Sequence, residues 1–436
     1  MKRAAVQPCV QPERRRGRPL ARSAASLVAS ALTLASGAWA GGRAHYGGTL
    51  RVAAVAKAPE TDPLLADTPI DATLLSLTAL PPCRLGELSR PSPGTVRLSP
   101  APNVKADTIA KSLEAVRRSA SPYAALLAGV KTVSVVGGNV ELQLSNPLTE
   151  LERVLCHPAL AAPIGPFKQQ PQGLAANSQI PDGRPYLDSV LTTPTDARTA
   201  ERLLLQRRVH LVLGTGSGDD GAQLHATYLL AAPGRAELSQ AVDFAVERKD
   251  LTRFFVRAPA SPLYGLLPPG LGAPAAQVTT PAKPAATKQD VTLLYDSSLE
   301  DQKAVAERIQ VKLQPLGFRV ALQAVTRREL RERWHSKQYE MMLMGVLLPA
   351  VPEGAYALVL QLANQPELAA ATVTATDSAA RDKAWRDAAL SLQQPGLPVV
   401  PLYVQGLAVT ASKDVLHLSR DAQGLARLDD AFLSAE

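Results

Sequence analysis

The sixty residues from Asp290 to Pro349 read DVTLLYDSSLEDQKAVAERIQVKLQPLGFRVALQAVTRRELRERWHSKQYEMMLMGVLLP. Val291–Tyr295 is a short apolar strand, and Ser298-Leu299-Glu300-Asp301 has the form of a capping box opening a helix. On that helix Val305, Ile309 and Leu313 fall on one face, and Gly317 suits its C-terminal cap. Phe318, Val320, Leu322 and Ala324 then alternate with Arg319, Ala321 and Gln323, which is strand periodicity. Thr326-Arg327-Arg328-Glu329 is a second capping box, with Leu330 and Trp334 sharing a helical face. Tyr339–Leu348 is nearly continuous apolar sequence, as expected of a strand covered on both sides. The order β-α-β-α-β with short connections predicts a parallel, doubly wound sheet.

Ligands of such sheets sit beyond the carboxyl ends of the strands. Those ends are Tyr295-Asp296-Ser297, Val325-Thr326 and Gly345–Pro349. Ser297 and Ser298 also open a helix, whose free amides suit a carboxylate, although capping is the commoner use of serine there.

Working outward, Gly48–Ala53 reads as a first strand, followed by a Pro-rich, turn-rich region to about Pro102. Residues 106–118 have a helical face of Ile109, Leu113 and Val116. Val130–Val136 and Val140–Leu144 alternate around Gly137-Gly138-Asn139, a hairpin signal. Thr195–Arg208 reads as a helix and Val209–Leu213 as a buried strand running into Gly214-Thr215-Gly216-Ser217-Gly218. That loop lacks the Lys-Ser/Thr ending of a P-loop and reads as a crossing between lobes. Residues 271–289, rich in Ala, Pro and Thr, read as an exposed connection.

The first forty residues read as a signal peptide. Arg14, Arg15, Arg16, Arg18 and Arg22 form a basic n-region, Ser23–Trp39 is uncharged, and Ala38-Trp39-Ala40 is a small-x-small cleavage pattern. The expected mature chain begins near Gly41, is periplasmic, and carries no membrane insertion after cleavage. Residues 1–40 hold seven of the 47 Lys/Arg and one of the 39 Asp/Glu, so the remainder has 40 and 38, a net of +2. The basic excess therefore gives no argument for a nucleic-acid partner. Cys9 leaves with the leader, and Cys83 and Cys156 remain free to pair or not in an oxidising compartment.

Catalytic signatures are missing. The six histidines, His45, His157, His210, His225, His335 and His417, show no metal-ligand spacing. Neither HExxH, CxxC nor a GxSxG elbow occurs, so neither an enzyme nor a cofactor or metal site is expected.

Several segments together resemble the family 5 extracellular solute-binding proteins of peptide, dipeptide and nickel importers. Gly47–Ala53 is similar to the family's opening strand, and Glu60-Thr61-Asp62-Pro63 to the region beyond it. Ser121-Pro122-Tyr123, Gly165-Pro166-Phe167 and Gly183-Arg184-Pro185-Tyr186-Leu187-Asp188 resemble successive landmarks of the first lobe. Gln240–Asp250, Leu267-Pro268-Pro269-Gly270 and Pro398–Tyr403 resemble later ones. The chain departs from the pattern at Gly345–Ala350, where members often carry a Trp and a nearby acid that help hold the ligand, and at the shortened stretch Asn103–Asp107.

The resemblance implies an α/β, two-lobed fold of the periplasmic-binding-protein type (type II), with mixed and parallel sheets and a hinge. It implies lobe I from 41–216 plus 394–436, lobe II from 217–393, and Glu60, Ser297, Gly345, Val346, Leu347, Leu348, Pro349 and Tyr403 in the cleft. The implied function is capture of a peptide or similar small solute by a monomer, for delivery to a permease and ATPase of an ABC importer. The alternative is a binding-protein fold kept as an envelope sensor or scaffold.

Overall fold

A computed structural model describes residues 45–434, apart from 146–149, 182, 217–221, 258, 272–282, 285–287, 366, 370–376 and 393–397. The leader and most of the Ala/Pro/Thr-rich stretch thus lie outside the described residues.

Strand β1 (Thr49–Val55) buries Leu50, Val52, Ala53 and Ala54. Within the region read as Pro-rich and turn-rich, the chain forms helix α1 (Pro69–Leu75) and the hairpin of β2 (Gly86–Ser92) and β3 (Thr95–Pro100). Pro69 at the first helical turn is tolerated there because its missing N–H has no partner to lose, and Thr68 caps the helix. Helix α2 (Ala106–Arg117) buries Ile109, Leu113 and Val116, as read from its period. The hairpin of β4 (Val130–Val136) and β5 (Asn139–Leu144) turns at Gly137-Gly138. With β2 and β3 it makes a four-stranded antiparallel sheet, ordered β2-β3-β5-β4.

After the short helix α3 (Leu151–Val154) come β6 (Phe167–Gln170), β7 (Gly173–Ala176), β8 (Ser189–Thr195), α4 (Ala197–Leu205) and β9 (Leu211–Leu213). The chain then enters a different sheet through β10 (His225–Ala231), followed by α5 (Ala236–Ala245), α6 (Arg248–Phe254) and β11 (Ala260–Pro262). Strands β12 (Gln289–Asp296), β13 (Phe318–Val325) and β14 (Met341–Leu347) alternate with α7 (Glu300–Leu313) and α8 (Arg327–Ser336), as the opening stretch predicted. Helix α9 (Pro352–Leu362), α10 (Ser378–Leu392), β15 (Val399–Gln405) and β16 (Val409–Ala411) follow.

Two six-stranded sheets result, ordered β16-β9-β1-β8-β7-β6 and β11-β15-β10-β14-β12-β13. In the first, β1 runs parallel to β8 and β9; in the second, β12 runs parallel to β13 and β14, while β10 is antiparallel to β14 and β15. The fold is α/β with mixed sheets. The first sheet's β9 is followed in the chain by β10 of the second, and the second sheet's β15 by β16 of the first. Val399–Gln405 pairs within the second sheet, with β10 and β11.

Residues 42–436 hold together as one compact unit. The largest apolar core explains this, since it runs from Leu98, Leu113 and Leu142 around the four-stranded sheet to Met342, Val346 and Leu358 of the second six-stranded sheet and α9. Helix α9 packs against the turn Pro122–Leu127.

One capping assignment is corrected. Ser298 does not cap α7; the helix begins at Glu300, and its N-cap, Leu299, has no side-chain acceptor. Ser298 instead donates from both its N–H (2.9 Å) and its hydroxyl (2.7 Å) to Asp296 Oδ1. Thr326 does cap α8, accepting from Glu329 N–H at 3.2 Å.

Candidate functional site

A cavity of about 600 Å³ lies where the carboxyl ends of parallel strands of both sheets meet. From the first sheet come Val55–Ala58 at the end of β1, Pro194–Ala197 at the end of β8 and Gly214–Gly216 after β9. From the second come Ser298–Gln302 after β12, Arg327 after β13, and His225, Thr227, Tyr403 and Gln405 from β10 and β15.

Two of its lining charges, Asp71 and Arg327, belong to a buried ion-pair network that extends behind the wall. Arg327 contacts Asp71 Oδ2 at 2.6 Å and Asp296 Oδ2 at 2.8 Å, and donates to Leu65 C=O at 2.7 Å and Ser298 Oγ at 3.2 Å. One helical turn on, Arg331 contacts Asp67 Oδ2 at 2.6 Å and Gly345 C=O at 3.1 Å. The Tyr123 hydroxyl donates to Asp67 Oδ1 at 2.9 Å and accepts from Leu347 N–H at 3.0 Å. Burial works against the Arg327 charge, yet Asp71, Asp67 and Asp296 overcome it and hold its pKa above the ordinary arginine value. Burial likewise raises the pKa of Asp67, against the pull of Arg331 and Arg327. Both acids sit at or before the start of α1 and both arginines on α8, each pair four residues apart. The network therefore ties the loop after β1 to the second sheet.

Beside it, His225 Nδ1 lies 3.0 Å from Gln405 Oε1, and Gln405 Nε2 lies 3.5 Å from Asp301 Oδ2. His225 is 3% exposed, its Nε2 has no hydrogen-bond partner, and burial lowers its pKa to about 4. Burial raises the pKa of Asp301. At the mouth, Lys57 Nζ reaches Ser297 C=O at 3.4 Å, and the exposed Arg257 pairs with Glu300 at 3.0 Å.

Of the residues expected in the cleft, Tyr403 lines the cavity, and the others lie outside its lining. The Glu60 carboxylate is occupied in its own loop, accepting from Thr61 and Asp62 N–H at 3.0 Å each. Ser297 continues the ladder through its N–H to Val325 C=O at 2.8 Å. Gly345, Val346, Leu347, Leu348 and Pro349 are buried, because β10 runs antiparallel beside β14 and pairs His225 with Leu347. The His225 imidazole covers Gly345 so closely that a Cβ there would sit 2.7 Å from Nε2, which is why this strand position holds glycine. The residues that reading the sequence missed, Asp71, His225, Asp301, Arg327 and Gln405, come from five separate segments. Only the matching four-residue spacing of Asp67/Asp71 and Arg327/Arg331 signalled any of them.

Two buried histidines predict a pH dependence. His157 accepts from Ala159 N–H at Nδ1 (3.1 Å) and donates from Nε2 to Leu347 C=O (2.9 Å), and burial lowers its pKa to about 4. The unfolded chain protonates histidine near 6.5, so between there and about 4 the unfolded state binds a proton that the folded state refuses. Stability is full above that window and falls as pH drops through it, by about 2.5 kcal/mol per histidine at pH 4.5. The raised acids Asp67 and Asp301 act in the opposite direction, so the comparison is with a variant. In urea unfolding at pH 7.5 and 4.5, His157→Gln should lose about 2.5 kcal/mol less than the parent. Equal losses would show that His157 is not buried neutral.

Among the described residues no group of three or more His, Cys, Asp or Glu is placed to hold a metal ion, and no helix is long and apolar enough to cross a membrane. No protein-family model matches the chain, and no curated protein matches it in sequence. Solved structures do. The Helicobacter pylori ABC transporter-associated periplasmic binding protein DppA, in complex with peptide STSA, aligns with a TM-score of 0.70 over 90% of this chain and 99% of its own, at 14% identity. The Escherichia coli murein tripeptide binding protein MppA gives 0.71 over 89% and 99%, at 13% identity. Staphylococcus aureus NikA, in complex with Ni(L-His)2, gives 0.69 over 88% and 99%, at 14% identity. The fold is therefore the two-lobed, type II fold of periplasmic binding proteins. The resemblance carried by the sequence segments is borne out at that level.

Proposed function

We propose that this chain is the periplasmic solute-binding component of an ABC importer, taking up a peptide or similar small solute and handing it to a permease driven by a separate ATPase. The observation that carries this reading is the cavity of about 600 Å³ between the carboxyl ends of two sheets. That is where open α/β sheets bind ligands, and the volume is ordinary for a small-molecule site. The Cys83–Cys156 bridge supports an oxidising compartment. The leader in residues 1–40 and action as a monomer belong to the same proposal.

The lobes of this reading are the parts carrying each six-stranded sheet, joined between β9 and β10 and between β15 and β16. Closure over a ligand buries it and stabilises the closed state. The protein contributes no bond chemistry. The second reading, a sensor or scaffold without transport, is favoured by the core shared across the sheets and by the self-neutralised pairs at the cavity.

Thermal denaturation separates the two. A solute at a hundred times its Kd stabilises by about 2.7 kcal/mol, visible as a rise in Tm. We expect native mass spectrometry of protein from its host's envelope to show a captured small molecule, and that molecule to raise Tm after unloading and readdition. An empty protein whose Tm moves with no peptide pool would favour the scaffold.

A further inference from the structure

The cavity wall is unevenly charged. Lys57, Arg257 and Arg327 face it against the carboxylates of Asp71, Asp196, Glu201, Glu300 and Asp301. Its one buried cation, Arg327, is committed between Asp71 and Asp296. The other two are exposed at the mouth, one paired with Glu300 and one near Ser297 C=O. Among the described residues, a carboxylate entering this cavity meets no buried cation that is free.

Acceptors are another matter. Asp301 receives Arg257 N–H at 3.2 Å and Gln405 Nε2 at 3.5 Å, both on Oδ2, and among the described residues nothing donates to Oδ1. Because Gln405 turns its amide nitrogen toward Asp301, its oxygen accepts from His225 Nδ1–H at 3.0 Å. His225 Nε2 is then left as a bare lone pair, buried and without a partner. His225 Nε2 is a buried acceptor lacking the partner that such groups normally have, and the half-buried Asp301 offers Oδ1 on the same wall, the two side chains bridged by one glutamine.

From this we infer that the cavity selects a solute carrying a protonated nitrogen, an ammonium or guanidinium, with Asp301 meeting its charge and His225 Nε2 accepting from a further N–H or O–H. The inference rests on the solute-binding reading and narrows it to net cationic ligands. The acid that the segment Gly345–Ala350 lacks is supplied from the start of α7, on a different element.

Three probes built on one dipeptide settle it by calorimetry: Phe-Ala amide as cation, Phe-Ala as zwitterion and N-acetyl-Phe-Ala as anion. The solute released from native protein is identified by mass spectrometry alongside. The amide should bind at least about tenfold tighter than the acetylated peptide, and Asp301→Asn should remove that preference at unchanged Tm. Glu307→Gln, the same charge change six residues on in α7 at an exposed position outside the cavity lining, should alter affinity by less than about twofold if contact rather than diffuse charge is responsible. The inference falls if the native solute has no basic nitrogen. It falls equally if the acetylated probe binds as tightly as the amide, or if both variants behave alike. A protein that releases no solute and binds none of the probes overturns the solute-binding reading itself, a different result from binding without charge preference.

Discussion

Replacing Arg327 by methionine is expected to destabilise the protein by about 3–5 kcal/mol, the cost of breaking a buried ion pair from one side. Arg327 and its partners Asp71 and Asp296 are all nearly inaccessible. Removing the guanidinium leaves two nearly inaccessible carboxylates, and each then pays desolvation without a counter-charge. Asp71 keeps its bonds from Thr68 Oγ1 (2.6 Å) and Glu60 N–H (2.8 Å), and Asp296 keeps those from Ser298, so relief by reorientation is limited. Asp71→Asn alone should cost less, because Arg327 retains Asp296. The double variant should be more stable than the sum of the single costs implies, since the second change removes a charge that the first stranded. Urea denaturation of the four proteins measures this cycle. Additive single costs, or a loss below about 1 kcal/mol for Arg327→Met, would show that the pairs are solvated and do not tie α1 to α8.

Much of the fold was legible because the decisive stretch keeps its periods clean. Val305, Ile309 and Leu313 repeat at helical spacing, Phe318 and Val320 at strand spacing, and Met341–Leu347 has no polar face. In β13 the alternation slips near its end, where Ala324 is exposed and Val325 buried. The region 69–100 was illegible for the opposite reason. Its strands carry Arg90-Pro91 and Ser99-Pro100, prolines that ordinarily mark turns; Pro91 survives because β2 is an edge strand, and Pro100 because it ends β3 beyond the residues that β5 pairs. Ser298 misled because a serine before two acids satisfies the capping pattern, while the buried Asp296 claims both its donors.

The site was harder to read than the fold, since its polar groups are partners across long separations. Arg327 meets Asp71 from 256 residues away, and His225 meets Gln405 from 180. Spacing along the chain does not encode such meetings; only the sheet order does. Tyr403 was reached through resemblance, and its neighbours on β10 follow once β15 is known to pair there.

The second large effect concerns the four-stranded sheet. Its strands and α2 all lie in the segment between Cys83 and Cys156, which a disulfide closes at Cα–Cα 5.1 Å over a separation of 73 residues. The segment leaves and rejoins the chain at a narrow neck, where Leu80 and Ala162 exchange backbone bonds of 3.1 and 2.9 Å and Cys83 N–H reaches Leu155 C=O at 3.4 Å. Those bonds alone form a weak closure, so the bridge carries much of the restraint on the unfolded chain. For a loop of this length the chain-entropy model gives about 4 kcal/mol. Cys83→Ser/Cys156→Ser should therefore lower unfolding free energy by about that amount in urea, and reductant should lower the parent and leave the variant unchanged. Hydrogen exchange should rise first in 86–144, the closed segment, and less in β12–β14. Neither cysteine lines the cavity, so ligand affinity of the folded variant should match the parent. A loss below about 1 kcal/mol would mean that the apolar core running from this sheet into α9 already fixes the segment, and that the bridge adds little to it.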